Sequence, residues 1–307
     1  MFTRYSIYLF GLLASPLLAQ SSAENLALMS MTNACKGCDL SNAQLVGVDF
    51  SKKDLEEANF TGSNADTANF TGANLDQVLL EGASFKAARF DKATVTVKET
   101  DWKPRAGGGN DPVLQKGVDF RSATFSGAKV DLSLYASNYN GANFSGASEV
   151  RINGRLCSFL DPEYASYARW LGKASSFKSA DFSNIKGSRY AAHAICSLGG
   201  NFQNAKFDGS KFNGVLNSEN VLYIVESNLQ EASFVAADLQ GASFHNSNLR
   251  GANFESANLS KVNFEGANLS GVNFRGANLD GANLKGAVLC ETIDPKGRCI
   301  LDVSNMV

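Results

Sequence analysis

The stretch LRGANFESANLSKVNFEGANLSGVNFRGANLDGANLKGAVL, residues 249–289, decides the fold. A large apolar residue returns at every fifth position: Leu249, Phe254, Leu259, Phe264, Leu269, Phe274, Leu279, Leu284 and Leu289. Two residues before each stands a small one, such as Ala252, Ala257 or Ala277, and Asn usually fills the place between. A period of five fits neither the 3.6 of an α-helix nor the 2.0 of a β-strand. The same register reaches back through Phe244, Leu239 and Phe234 to Leu229, and it appears again from Leu40 to Val95. Lys53 is the one bulky intruder in the small column of that earlier run.

Units such as Ala252-Asn253-Phe254, Ala267-Asn268-Leu269 and Ala277-Asn278-Leu279 resemble the pentapeptide-repeat family, over most of residues 38–95 and 227–289 and more weakly between them. The resemblance implies an all-β fold: a right-handed quadrilateral parallel β-helix, five residues to a side and four sides to a coil. The large residue and the small one before it then point inward, and the other three positions face solvent. The small residue has to be small because four sides converge on a narrow interior. Coils stack about 4.8 Å apart, so residues twenty apart should form columns. Phe234, Phe254 and Phe274 should share one side, with Phe244 and Phe264 opposite them and Leu284 above. Leu249, Leu269 and Leu289 should occupy one of the two remaining sides.

Residues 1–23 read as a signal peptide: Arg4 gives a positive start, and Ile7 to Leu18 form an apolar run too short for a comfortable membrane span. Residues 24–37 are an N-terminal cap, and 38–149 a β-helix interrupted by a loop over 96–117. That loop carries Trp102, Pro104, Gly107 to Gly109 and Asp111-Pro112. The register resumes in phase at Phe120, Phe125, Val130 and Tyr135, which makes 96–117 an extruded loop and not a linker. Residues 150–199 read as an irregular insertion of loops or short helices around two isolated repeats at Phe177 and Phe182. A β-helix over 200–289 and a C-terminal cap over 290–307 follow. Six cysteines in an exported chain invite disulfide pairing. Six cysteines allow 15 pairings; Cys35 lies close to Cys38 in sequence and Cys290 to Cys299, which leaves Cys157 and Cys196 as the third pair.

Nothing in the chain composes a catalytic, cofactor or metal site. Cys35 and Cys38 lack the second cysteine or histidine pair of a zinc set, His193 and His245 have no nucleophile or ligand cluster near them in sequence, and no Gly-Lys-Ser/Thr follows Gly109. The net charge is −2, without the basic surplus of a nucleic-acid binder. No later stretch suggests membrane insertion of the mature chain. The reading is a non-enzymatic exported scaffold or protein-interaction module, located in the periplasm, the medium or a thylakoid lumen. Its partner would be another protein, and the chain itself a monomer or weak homo-oligomer. Loops on a rigid scaffold are where recognition concentrates, which singles out Trp102, Tyr164, Tyr167 and Trp170. The resemblance implies an alternative, a DNA-mimicking protein that binds type II topoisomerases, but this needs a strongly acidic surface and a cytoplasmic address. Residues 38–95 carry 9 acids and 5 bases, and 227–289 carry 5 and 4. An enzyme assembled around Tyr164, Tyr167, Arg169 and His193 would require a deep pocket at the insertion.

Overall fold

The computed structural model of the protein describes residues 34–98, 117–132, 137–152, 175–185, 193–212, 220–297 and 299–300. Five-residue sides wind into stacked coils. We call the four sides A to D, in chain order, after their inward residues near the C-terminus: A, Leu249 and Leu269; B, Phe254 and Phe274; C, Leu259 and Leu279; D, Phe264 and Leu284.

Backbone hydrogen bonding explains the period. The amide of an inward residue donates to a carbonyl one coil on, as Leu249 does to Asn268 (2.9 Å), and the amide of Asn268 returns a bond to Ser247 (2.9 Å). A regular corner is a turn closed by a bond such as Ala252 N–H to the Leu249 carbonyl (2.9 Å). The third residue of the turn has positive φ, which favours glycine. Gly62 and Gly72 have φ of 67° and 69°, but Thr67 adopts 59° between them with a β-branched side chain. The left-handed region costs a non-glycine residue about 1–2 kcal/mol, partly offset by glycine's greater freedom when unfolded. Thr67→Gly is therefore expected to stabilise the protein by about 0.5–1 kcal/mol, read as a higher denaturation midpoint at unchanged slope.

The expected columns form. Phe234 stacks on Phe254 at 4.6 Å between ring centroids and Phe254 on Phe274 at 5.5 Å; Phe244 stacks on Phe264 at 5.5 Å. Leu249, Leu269 and Leu289 are buried on side A. Side B is a single ladder of ten rings: Phe50, Phe70, Phe90, Phe125, Phe144, Phe182, Phe207, Phe234, Phe254 and Phe274, with neighbours 4.6–5.5 Å apart. From ring to ring the sequence separation runs 20, 20, 35, 19, 38, 25, 27, 20 and 20. Additions of very different length thus leave and rejoin within one coil.

This corrects the reading of 150–199 as an irregular insertion. Phe177 and Phe182 are rungs, stacked on Tyr139 (4.7 Å) and Phe144 (5.0 Å). Around them runs one parallel sheet in chain order: β1 (Asn74–Val78), β2 (Thr94–Val97), β3 (Lys129–Leu132), β4 (Glu149–Ile152), β5 (His193–Leu198) and β6 (Asn220–Val225). No helix occurs among the described residues. The start of the 96–117 loop shifts too, because β2 continues through Val97 and Lys98 still donates to the Val78 carbonyl (2.9 Å). The next coil has 19 residues, from Phe120 to Tyr139, so the inward place falls to Tyr139; Tyr135 lies outside the described residues. Tyr139 is fully buried, and that burial pushes its hydroxyl well above the usual tyrosine range.

Cys35 and Cys38, both buried, meet at the start of the first coil with Cα atoms 5.3 Å apart. The expected Cys290–Cys299 bridge is absent: Cys290 is a free, exposed thiol. It occupies the outward corner position after Leu289. The terminal hairpin of β7 (Thr292–Ile293) and β8 (Cys299–Ile300) sets Cys299 opposite Ile293, not opposite Cys290. The Asp294-to-Gly297 turn of that hairpin does form, with Gly297 N–H donating to the Asp294 carbonyl (2.9 Å). Cys157 lies outside the described residues, and Cys196 sits in β5 opposite Tyr223.

Candidate functional site

The added stretches are all rooted on sides C and D of the coil. Residues 99–116 and 153–174 follow β2 and β4, residues 186–192 and 213–219 precede β5 and β6, and residues 133–136, in a coil one residue short, follow β3. Because β2, β3 and β4 are hydrogen-bonded neighbours, the three departure points lie about 4.8 Å apart along the stack. Sides A and B carry no addition from Gln44 to Ile293. Trp102, Tyr164, Tyr167 and Trp170 lie outside the described residues, as does Arg169. Their stretches leave from β2 and β4, two strands apart in the sheet. His193 opens β5. Both tryptophans of the protein therefore belong to stretches rooted in one flank.

The stacked coils show what the outward Asn positions do, which the sequence reading left as variable surface. Several of these Asn side chains are half-buried and work twice. The Asn253 Oδ1 accepts the amide of Glu255 (3.0 Å) and also a hydrogen from Asn273 Nδ2 (3.0 Å) one coil on. Asn258 donates to Asp238 (2.9 Å), Asn69 to Asp49 (2.9 Å) and Asn59 to Asp39 (3.2 Å). At the first coil the ladders end in Asp39, Asp49 and Asp54, which accept without needing an acceptor of their own. Hydrogen bonds from Ser41 and Ser51 hold the Asp39 and Asp49 carboxyls below the usual carboxylate range. The signal for this role was present in the sequence as recurrent Asn, but its geometry exists only once coils are stacked.

Charges on side A interleave. Lys86 lies between Asp66 (3.6 Å) and Asp119 (3.8 Å), and Arg121 pairs with Asp119 at 2.8 Å. Burial pushes the Asp119 carboxyl up, but its hydrogen bonds and charge pairing with Arg121 and Lys86 outweigh this and hold it below the usual range. Such exposed pairs add little stability. They do break up any uniformly acidic face there.

The smooth surface expected of a square coil is interrupted among the described residues. At the corner between sides A and B, an open groove runs past Gln230, Glu231, Arg250, Ser270, Cys290 and Glu291. It exists because Gly251 and Gly271, with φ of 69° each, carry no side chain at successive corners. His245 is half-buried on side D, its Nε2 3.0 Å from Asn246 Nδ2. Among the described residues no group of His, Cys, Asp and Glu could hold a metal ion, and no helix is long and apolar enough to cross a membrane.

The family model for pentapeptide repeats matches this chain in 8 copies, over residues 38–77, 66–96, 227–266 and 257–293. No curated protein matches it. Among solved structures, HetL, a pentapeptide repeat protein involved in heterocyst differentiation regulation from the cyanobacterium Nostoc, is 18% identical over 91% of this chain and 98% of its own, with a TM-score of 0.29. Full-length QnrB1, a plasmid-mediated fluoroquinolone resistance protein, is 19% identical over 80% of this chain and 91% of its own, with a TM-score of 0.23. A pentapeptide repeat protein from the Arabidopsis thaliana thylakoid lumen is 23% identical over 45% of this chain and 81% of its own, with a TM-score of 0.23.

Proposed function

The chain is a pentapeptide-repeat protein, and from that premise we propose that it is an exported, non-enzymatic scaffold that binds another protein through the stretches rooted on its β2–β4 flank. One observation carries the reading: every addition to the coil leaves from sides C and D, while the Phe ladder of side B passes all of them unbroken. A rigid rod thereby brings sequence-distant segments to neighbouring roots. Those segments hold Trp102, Tyr164, Tyr167, Trp170 and Arg169, and tryptophan, tyrosine and arginine are the residue types that dominate interface energies. The described coils offer little that competes, since their outward Asn side chains are spent on the ladders. An oxidising compartment suits the adjoining Cys35 and Cys38, and the apolar run Ile7 to Leu18 supports export.

The test is affinity capture of the mature protein from its own compartment, compared with a form in which 153–174 is replaced by a short Gly/Ser linker. Deleting 150–199 outright would remove β5, Phe177 and Phe182, and so would break the rod itself. Loss of a captured protein in the linker form, with unchanged melting, is the expected outcome. Equal capture by both forms would move the binding surface to the coil faces, and recovery of the tagged protein in the cytosol alone would end the export reading.

A further inference from the structure

The additions raise a physical problem at the corner between sides D and A. In a regular coil that corner closes by a turn: Ala43 N–H to the Leu40 carbonyl (3.3 Å), Ala83 to Leu80 (3.0 Å), Ala267 to Phe264 (2.9 Å) and Ala287 to Leu284 (3.0 Å). Where a strand or an added stretch replaces the turn, the first inward amide of side A has lost its acceptor, and it is buried in the core. A buried amide without a partner is destabilising, because it gives up its hydrogen bond to water and gains none in return.

At two such places, Gly200 and Ser227, and at Val118 and Ser137, where the preceding stretches lie outside the described residues, the amide finds a serine hydroxyl from the following coil. Val118 N–H donates to Ser137 Oγ (3.0 Å), Ser137 to Ser175 (3.3 Å), Gly200 to Ser227 (2.9 Å) and Ser227 to Ser247 (3.1 Å). All four serines are buried in the small inward column, where regular coils carry alanine. At the best-defined corner the Ser247 hydroxyl accepts from Ser227 N–H and donates to the Ile224 carbonyl (3.0 Å). Those are the donor and acceptor of the turn that is missing there. The hydroxyl sits inside the opened turn and restores both bonds.

We infer that this buried serine column is the device that lets the coil accept additions at the D-to-A corner: each serine stands one coil beyond an opened corner and supplies the hydrogen bonds that its turn would have made. The inference concerns the scaffold and holds whether or not the added stretches bind anything. It also explains Ser247, which lies in a corner with a regular turn of its own (3.1 Å to Phe244) but serves the opened corner before it. Ser63 is the internal control. It is buried in the same column beside regular corners, and its hydroxyl has no hydrogen-bond partner.

The test compares Ser247→Ala with Ser63→Ala by thermal melting and by hydrogen exchange of the peptide spanning residue 227. Ser247→Ala should lower the melting temperature and speed exchange of the Ser227 amide by about tenfold or more. Ser63→Ala should leave the melting temperature unchanged or raise it. A second variant, Ser137→Ala, reads the same effect at the Val118 amide. If Ser247→Ala and Ser137→Ala fail to fold while Ser63→Ala folds, the result is the expected one at larger amplitude. Equal melting of Ser247→Ala and Ser63→Ala, with slow exchange kept at Ser227, would overturn the inference.

Discussion

Phe182→Asp is expected to unfold the middle of the solenoid and to split its melting into two steps, whereas Phe182→Leu should fold and melt in one. Phe182 is fully buried, with Phe144 and Phe207 stacked on its two faces at 5.0 Å each. Truncating a buried Phe costs about 3–5 kcal/mol, and placing an unpaired carboxylate in the gap adds several more. Stacked repeats gain stability mainly from nearest neighbours, so the loss should centre on the coils between Phe125 and Phe234, leaving the N-terminal and C-terminal arrays to melt separately. The substitution is informative because Phe182 lies outside the residues that match the family model. Were 150–199 an appended lobe, Phe182→Asp would leave the main transition in place. Circular dichroism through the melt distinguishes the two, and an unchanged single transition would contradict a continuous ladder.

The two outer arrays were legible in the sequence because three signals coincide there: a large residue every five, a small one two before it, and Asn between. In the middle each signal is diluted for a separate physical reason. The 19-residue coil moves the register by one, so Tyr139 takes the rung above Phe120 that strict counting by five assigns to Asn140. In β2, β3 and β4 the inward residues Val95, Val130 and Val150 are β-branched strand formers at a corner that the chain straightens. Ser137 and Ser175 satisfy the requirement for a small residue, so counting could not distinguish their hydrogen-bonding role from that of alanine. Cys290 and Cys299 looked like a clamp because they are near in sequence, but corner phase, not proximity, decides which way a side chain points. The candidate surface was legible only as composition: Trp102 and Trp170 stand 68 positions apart in the chain, and only the stacking of β2, β3 and β4 brings their roots together.

Asp208→Ala should destabilise the protein by about 2–3 kcal/mol, and Ser233→Asn should restore most of that loss. The Asn that precedes an inward residue normally caps its own corner, as Asn253 does for the Glu255 amide (3.0 Å). Serine is too short to reach. At Ser233 the missing acceptor comes from the coil below: Asp208 Oδ1 takes both the Ser233 hydroxyl (2.6 Å) and the Val235 amide (2.8 Å). The same exchange recurs where Asp66 serves Ser84 (2.5 Å) and the Lys86 amide (3.0 Å), and where Asn140 serves Ser176 (2.7 Å) and the Lys178 amide (2.9 Å). Removing Asp208 therefore strands two donors at once, one of them a half-buried backbone amide. In the double variant the new Asn side chain would accept the Val235 amide itself and make the lower coil's carboxylate unnecessary. The coupling is the prediction: Ser233→Asn alone should change stability little, yet it should recover most of the loss in the Asp208→Ala background. Additive effects, measured as denaturation midpoints across the four proteins of the cycle, would show that Asp208 acts only as a surface charge.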